Sequence, residues 1–178
     1  MKQWSNWSGS VLATPAREVT ARDEAELSDL IKSSDSLIRP VGSGHSFTPI
    51  AAADGGTLLR LSGFGGVELM PDSPGGQKRA RIGAGQVLGA LTARLAAAGQ
   101  ALANMGDIDD QTVGGALATA THGTGARFGC YSSMLEELTL IDGTGEQRIL
   151  SRDRDSDMFR AMAVGIGTGG IVTEAVIR

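Results

Sequence analysis

Two histidines occur in the chain, and both stand among glycines. His45 follows Gly42-Ser43-Gly44 in PVGSGHSF. His122 lies in ATATHGTGARFG, where Ala118, Thr119, Ala120, Thr121, Gly123 and Gly125 leave little side-chain volume. A neutral imidazole can serve as nucleophile, proton carrier or metal ligand. A glycine turn beside it can offer successive backbone N–H groups to an anion with no Cβ in the way. A long flat ligand laid along the backbone accounts for both glycine settings at once. Close packing of a helix-to-loop corner accounts for the second without any ligand. A metal site built from His45, His122, Cys130, Asp107, Asp109 and Asp110 would need ligand spacings that this sequence does not show, so no metal is expected. Asp109 and Asp110 read as solvated turn or cap residues.

Two further glycine clusters could hold a nucleotide. Residues 165–170, GIGTGG, match G-x-G-x-x-G literally, but they follow a helical pattern and precede a strand, the reverse of the order a dinucleotide fingerprint requires. Gly83-Ala84-Gly85 does lie between a strand and a helix. Its third glycine, Gly89, comes one residue late, and no acidic residue closes a second strand about 20 positions on. A Rossmann reading is set aside. Gly42-Ser43-Gly44 follows a strand and precedes a loop sequence, SFTPIAAADGG, which suits an anion-binding nest rather than a helix start.

These residues need a scaffold, and the chain is long enough to build one. It has 178 residues, 41% of them hydrophobic, with a formal net charge of −4 and a mean hydropathy of −0.02. That is a globular composition with no apolar run approaching a membrane span, and its charge gives no reason to expect nucleic acid as a partner. One cysteine excludes an internal disulfide framework, and MKQWSNWSGS lacks the apolar core of a signal peptide, so a cytoplasmic location is expected. Glycine is the anomaly: 26 residues against an average usage of roughly 7%.

The elements alternate. Thr20 to Lys32, with Asp23, Glu24 and Glu26 at its start and Leu27, Leu30 and Ile31 at helical spacing, predicts an amphipathic helix. Residues 36–41 and 57–64 predict strands, and GVELM and RARIGAG flank a hairpin-like PDSPGGQ connection. A helix runs from Val87 to a stop at Gly99, and a second starts on Thr112 with small side chains behind it. LEELTLIDGTGEQRIL predicts a β-hairpin around residues 142–145. A last helix spans Asp155 to Ala163, before the strand GIVTEAVI. The order is α/β mixed with hairpins, hence α+β.

The segments RPVGSGHSF, IGAGQVLGAL, LANMGDIDDQTVGGALATATHGTG and GIGTGGIVTEAVI together resemble the FAD-binding (PCMH-type) domain of the vanillyl-alcohol-oxidase flavoproteins, and within them the sugar-alcohol (alditol) and aldonolactone oxidases. The resemblance covers residues 11–178 and leaves 1–10 as an N-terminal extension. It implies an α+β fold of two subdomains with FAD extended between them. It implies that Val41, Gly42, Ser43, Gly44 and Ser46 contact the cofactor, the glycines through backbone N–H groups at the diphosphate. His45 would be bonded covalently to the flavin's 8α carbon, a bond that raises the flavin's potential.

Asp107, Thr112, Gly115, Thr119, Ala120, Thr121 and His122 match further positions that line FAD in relatives, and Ile171 matches a backbone contact beside the adenine. Relatives often carry serine where Asp107 stands, and a carboxylate there would repel the diphosphate. Cys130 follows the glycine-histidine segment, whereas the flavin-bonded cysteine of bicovalent relatives precedes it, so it reads as a free structural thiol. The residue aligned with Gly106 lies near the reactive face of the flavin, where a small side chain leaves room for O₂. The implied activity is hydride transfer from a CH–OH group of a sugar alcohol or aldonolactone to FAD, with reoxidation by O₂ and release of hydrogen peroxide. A substrate domain beyond Arg178 would supply the catalytic base, so no catalytic residue is expected within the chain. The alternative is a flavin-binding module or partner subunit without turnover of its own.

Overall fold

The computed structural model describes residues 3–178, so the first two residues of the expected N-terminal extension lie outside it. A two-stranded antiparallel hairpin opens the chain, β1 (Trp4–Ser5) with β2 (Leu12–Ala13). Strands β3 (Arg17–Thr20), β4 (Ile38–Val41) and β5 (Thr57–Arg60) form a parallel sheet in the order β3-β5-β4, which leaves one edge of β4 unpaired. Strands β6 (Val67–Met70), β7 (Arg79–Gly83), β8 (Leu135–Ile141), β9 (Gln147–Ser151) and β10 (Ile171–Ile177) form an antiparallel sheet in the order β6-β7-β10-β8-β9. Helix α1 (Glu24–Lys32) connects β3 to β4, and α2 (Leu88–Ala97), α3 (Val113–Ala118) and α4 (Ser156–Ala163) belong to the larger sheet. No helix among the described residues is long and apolar enough to cross a membrane.

Local chemistry accounts for the elements. The Asp23 carboxylate accepts from the Glu26 N–H at 2.8 Å, and the Glu26 carboxylate accepts from the Arg22 N–H at 3.0 Å, so each end of the cap satisfies the other. The expected helix start at Thr20 is therefore displaced to Glu24. Arg17 to Thr20 pair with Thr57 to Arg60 instead, and this long-range pairing outweighs local helical preference. Helix α2 buries Leu88, Leu91 and Leu95, and Gly99 follows it at φ +68°, the left-handed conformation that ends a helix cheaply only at glycine. Thr112 caps α3 by accepting from the Gly115 N–H at 3.3 Å, as its position in the sequence predicts. In the β8–β9 turn the Asp142 carboxylate accepts from the Thr144 hydroxyl and N–H and from Arg148 Nε. These donors, the Thr144 hydroxyl foremost, hold its carboxyl far below the usual carboxylate range.

Two cores matter for function. The larger lies between the antiparallel sheet and α2 to α4 and includes Ile82, Leu91, Leu117, Leu135, Leu138 and Phe159. The second joins the sheets: Leu27 of α1, Leu59, Leu61 and Phe64 pack with Ala84, Ile141 and Ile171. Fully burying each large side chain of this kind contributes about 1.5–3 kcal/mol. The chain that leaves β5 crosses directly over the end of β7, where Gly83 N donates to the Gly66 carbonyl at 3.0 Å and Gly85 N donates to the Phe64 carbonyl at 2.9 Å. A Cβ on Gly83 or Gly85 would run into the Phe64 or Leu61 carbonyl respectively. The Gly83-Ala84-Gly85 cluster thus serves a backbone crossing. Gly85→Ala is expected to destabilise the fold by about 1–3 kcal/mol, the usual cost of overpacking, read as a lower urea midpoint with unchanged slope.

Candidate functional site

The unpaired edge of β4 and the loop after it face the antiparallel sheet across a cleft of about 1170 Å³, its open mouth included. Three walls enclose it. Residues 39–46 supply the first, α3 with Thr112, Gly115, Ala118 and Thr119 the second, and the α4–β10 connection with Gly165, Gly167, Gly169 and Gly170 the third. Leu61, Leu117, Leu138 and Val172 complete its apolar lining. Where Gly167 would carry a Cβ it would stand 3.8 Å from Pro40 Cγ, so the first and third walls nearly touch there.

The first wall is held from two sides. A Cβ on Gly42 would overlap the Thr112 hydroxyl, so only glycine lets this strand end meet the cap of α3. The Ser43 hydroxyl donates to the Asp110 carbonyl. Gly44 has φ +73°, the region a side chain disfavours. On the outer side Trp7 N donates to the Gly44 carbonyl at 2.8 Å, and Asn6 Nδ2 donates to the Ser46 carbonyl at 3.0 Å. The indole of Trp7 stacks on the half-buried His45 ring, with centroids 5.2 Å apart and 25° between planes.

Of the residues singled out from sequence, the cleft brings together Val41, Gly42, Ser43, Gly44, His45, Ser46, Thr112, Gly115, Thr119 and Ile171. Gly106, Asp107, Ala120, Thr121 and His122 are not among its lining residues. Thr121 connects them to it, its hydroxyl 3.2 Å from that of Thr119 and accepting from Gln111 Nε2 at 3.4 Å. Gly106 N donates to the Tyr131 hydroxyl at 3.0 Å. A Cβ on Gly123 would strike the Met105 carbonyl, so backbone packing fills the space beside His122. His122 Nδ1 donates to the Gly123 carbonyl at 2.7 Å, which fixes its tautomer, since a carbonyl can only accept. Asp107 is exposed. Among the described residues no three His, Cys, Asp or Glu side chains group as metal ligands.

Sequence reasoning missed Arg39, Pro40, Gln111, Met162 and the glycines of residues 165–170 as lining residues. The density of glycine ahead of β10 was a usable signal. Its order, helix before strand, is wrong for a dinucleotide fingerprint and is the order the structure shows, α4 before and β10 after.

A family described as "FAD binding domain" matches residues 15–151. The chain belongs to this FAD-binding domain family. It is 38% identical over 178 residues to an L-gulono-1,4-lactone dehydrogenase of Mycobacterium tuberculosis, covering 98% of this chain and 40% of that protein. It is 35% identical to a D-arabinono-1,4-lactone oxidase of Eremothecium gossypii (98% of this chain, 34% of that one) and 28% identical to an L-gulonolactone oxidase of Mus musculus (99% and 40%). The chain therefore spans 34–40% of the length of these relatives. In structure it resembles cholesterol oxidase from B. sterolicum with a TM-score of 0.84 at 20% identity, covering 98% of this chain and 36% of that one. The fold is the α+β, two-subdomain arrangement expected of the vanillyl-alcohol-oxidase type.

The cleft of this FAD-binding domain suits the cofactor on its own evidence. Among the described residues no carboxylate lines it, whereas Arg39, His45 and the Gly42-Ser43-Gly44 turn do, which suits a diphosphate. Its α3 wall is flat because Gly115 and Ala118 carry so little. Ala118→Leu keeps a good helix former and adds volume at a residue that lines the cleft. It is expected to abolish FAD uptake, measured by fluorescence quenching, while the apo-protein's melting temperature moves by no more than a few degrees. Equal loss of both would assign Ala118 to packing instead.

Proposed function

We propose that this chain is the cofactor domain of an oxidase that acts on the CH–OH group of a sugar lactone, with FAD bonded covalently through His45. The observation that carries the proposal is the meeting of His45 and the Gly42-Ser43-Gly44 turn at one edge of a glycine-walled cleft in a chain of the FAD-binding family. Bound FAD supplies the hydride acceptor, and the chain's own residues place it. The N–H groups of residues 42–44 would hold the diphosphate, and Thr112, Gly115 and Thr119 would line its path along α3. The backbone at Ile171 meets the adenine half. Gly106, Asp107, Ala120, Thr121 and His122 would shape the reactive end, Thr121 through its contacts with Thr119 and Gln111.

His45 makes no side-chain hydrogen bond with the described residues, which leaves a ring nitrogen free to act. With FAD held in the cleft, His45 would supply the nucleophile: its ring nitrogen would bond the 8α carbon as the methyl group lost a proton, and the two electrons left in the ring would pass to dioxygen. The lactone substrate follows from the names of the relatives, two oxidases and one dehydrogenase acting on gulono- and arabinonolactones. The substrate-binding groups and the base lie in sequence outside this chain's cleft lining. Acid precipitation of the flavin-loaded protein is expected to leave yellow colour in the pellet, and His45→Ala to release it into the supernatant. A colourless wild-type pellet after confirmed loading would refute covalency and leave FAD binding standing.

Dioxygen as acceptor rests on Gly106. A Cβ there would stand 3.6 Å from Thr121 Cγ2 and 3.4 Å from the His122 carbonyl, so a larger residue enters by van der Waals contact without a backbone clash. Stopped-flow reoxidation of the reduced full-length protein in aerated buffer is expected to be fast, and Gly106→Val to slow it by about tenfold or more, an added barrier of about 1.4 kcal/mol. An unchanged rate in the variant would remove Gly106 from the oxygen path.

A further inference from the structure

The hairpin at the start of the chain is too small to be stable on its own: two strands of two residues each, with the Trp7 side chain 63% exposed. Yet it is built around a buried polar group. Asn6 is 3% exposed, its Oδ1 accepts from the Val11 N–H at 2.9 Å, and its Nδ2 faces the Ser8 hydroxyl at 3.0 Å and the Ser46 carbonyl at 3.0 Å. A buried amide satisfied on both ends has one orientation, because any rotation leaves a donor or acceptor unpaired. The contacts it makes outward fall on one place. Asn6 holds the carbonyl of Ser46, and the next residue, Trp7, holds the carbonyl of Gly44. Two consecutive hairpin residues thus pin the residues immediately before and after His45.

The side chain is gripped as well. Trp7 covers one face of the imidazole in a near-parallel stack, and Phe47 meets Trp7 edge-on at 6.5 Å. An imidazole's second torsion is broad when nothing constrains it. Here no hydrogen bond constrains it among the described residues, so the stack is the contact that orients the ring plane, and it takes up neither ring nitrogen in a hydrogen bond.

We propose that Asn6 and Trp7 are positioning residues for covalent attachment: they fix the rotation of His45 so that a ring nitrogen meets the cofactor's 8α carbon in line. This rests on the reading of His45 as the flavin-bonded residue. The step itself is the one given above, with the N–C bond formed, the methyl C–H broken, and the two electrons passed through the ring to dioxygen. The hairpin takes no part in that balance and changes only how often the nitrogen is correctly placed. Misplacement of a reacting atom by about 1 Å can cost about 100-fold in rate.

The test separates attachment from binding. Full-length apo-protein is mixed with FAD, bound flavin is followed by fluorescence quenching, and samples denatured in acid at intervals are read for flavin fluorescence remaining on the protein. Trp7→Ala is expected to bind FAD as the wild type does but to attach it about 10- to 100-fold more slowly, and Trp7→Phe, which keeps a stacking ring, to recover most of the rate. Asn6→Ala, measured alongside, is expected to slow attachment in the same sense. The proposal is overturned if Trp7→Ala attaches flavin at the wild-type rate, if Trp7→Phe is as slow as Trp7→Ala, or if attachment falls only in proportion to FAD binding and melting temperature. A wild type that binds FAD tightly and never attaches it would refute the role of His45 itself, and this inference with it.

Discussion

The packing of Leu59, Leu61 and Phe64 against Ala84, Ile141 and Ile171 is the contact on which the rest of the molecule depends. It welds the parallel sheet to one end of the antiparallel sheet, and the backbone crossing at Gly83 and Gly85 brings the two chains too close for any side chain between them. Because the sheets are joined there, they diverge elsewhere. The unpaired edge of β4 stands across a gap from α3 and the α4–β10 connection, and that gap is the cofactor cleft. Helix α1 reinforces the joint from outside. Leu27 is fully buried in it, and Glu24 accepts a hydrogen bond from the buried Thr173 hydroxyl of β10 at 3.1 Å.

The abundance of glycine has several physical causes, left-handed turns such as those at Gly44 and Gly99 among them, and only one concerns the ligand. At Gly63, Gly83, Gly85 and Gly123 a Cβ would strike a backbone carbonyl, so these positions answer to the protein's own close approaches. At Gly42 the obstacle is the Thr112 hydroxyl, which ties the turn beside His45 to the cap of α3. Gly115 and Gly167 are different. A Cβ would meet no backbone at either, and both line the cleft; Gly167 also takes φ +78°, a conformation that favours glycine, whereas at Gly115 smallness keeps room for what lies in the cleft. A single ligand does not explain both histidine neighbourhoods: the glycines near His45 border the cleft, whereas Gly123 beside His122 serves packing against Met105.

Much of this was legible in the sequence wherever the signal was local. The cap at Thr112, the stop at Gly99, the Asp142 turn and the strand at the C-terminal end follow from residue types within a few positions of each other. What escaped was decided at a distance. Arg17 to Thr20 has no apolar alternation and becomes a strand only by pairing with residues 40 positions on. Residues 4–13 likewise carry no recognisable pattern, since the hairpin's reason to exist is the loop at 44–46 that it grips. The cleft's third wall is visible in the sequence as glycine density in GIGTGGIVTEAVI, but no local pattern assigns those glycines to a cleft that β4 and α3 close from far away in sequence.

The distribution of charge also assigns a division of labour. The chain carries 20 acidic residues and a net charge of −4, yet among the described residues none of its carboxylates lines the cleft. The acids are spent at surface pairs such as Arg79 with Glu136 and Arg148 with Asp142, and at caps. A diphosphate is welcome in such a cleft, and a general base is missing from it. Hydride removal from a CH–OH group needs a base within hydrogen-bond reach of the hydroxyl proton. His45 is the one titratable group there besides Arg39, and in the proposed function its free nitrogen is consumed in the bond to the cofactor. In the proposed function, the groups that would take that proton and orient a lactone come from residues other than these. The relatives, more than twice as long as the part matched here, have room to provide them.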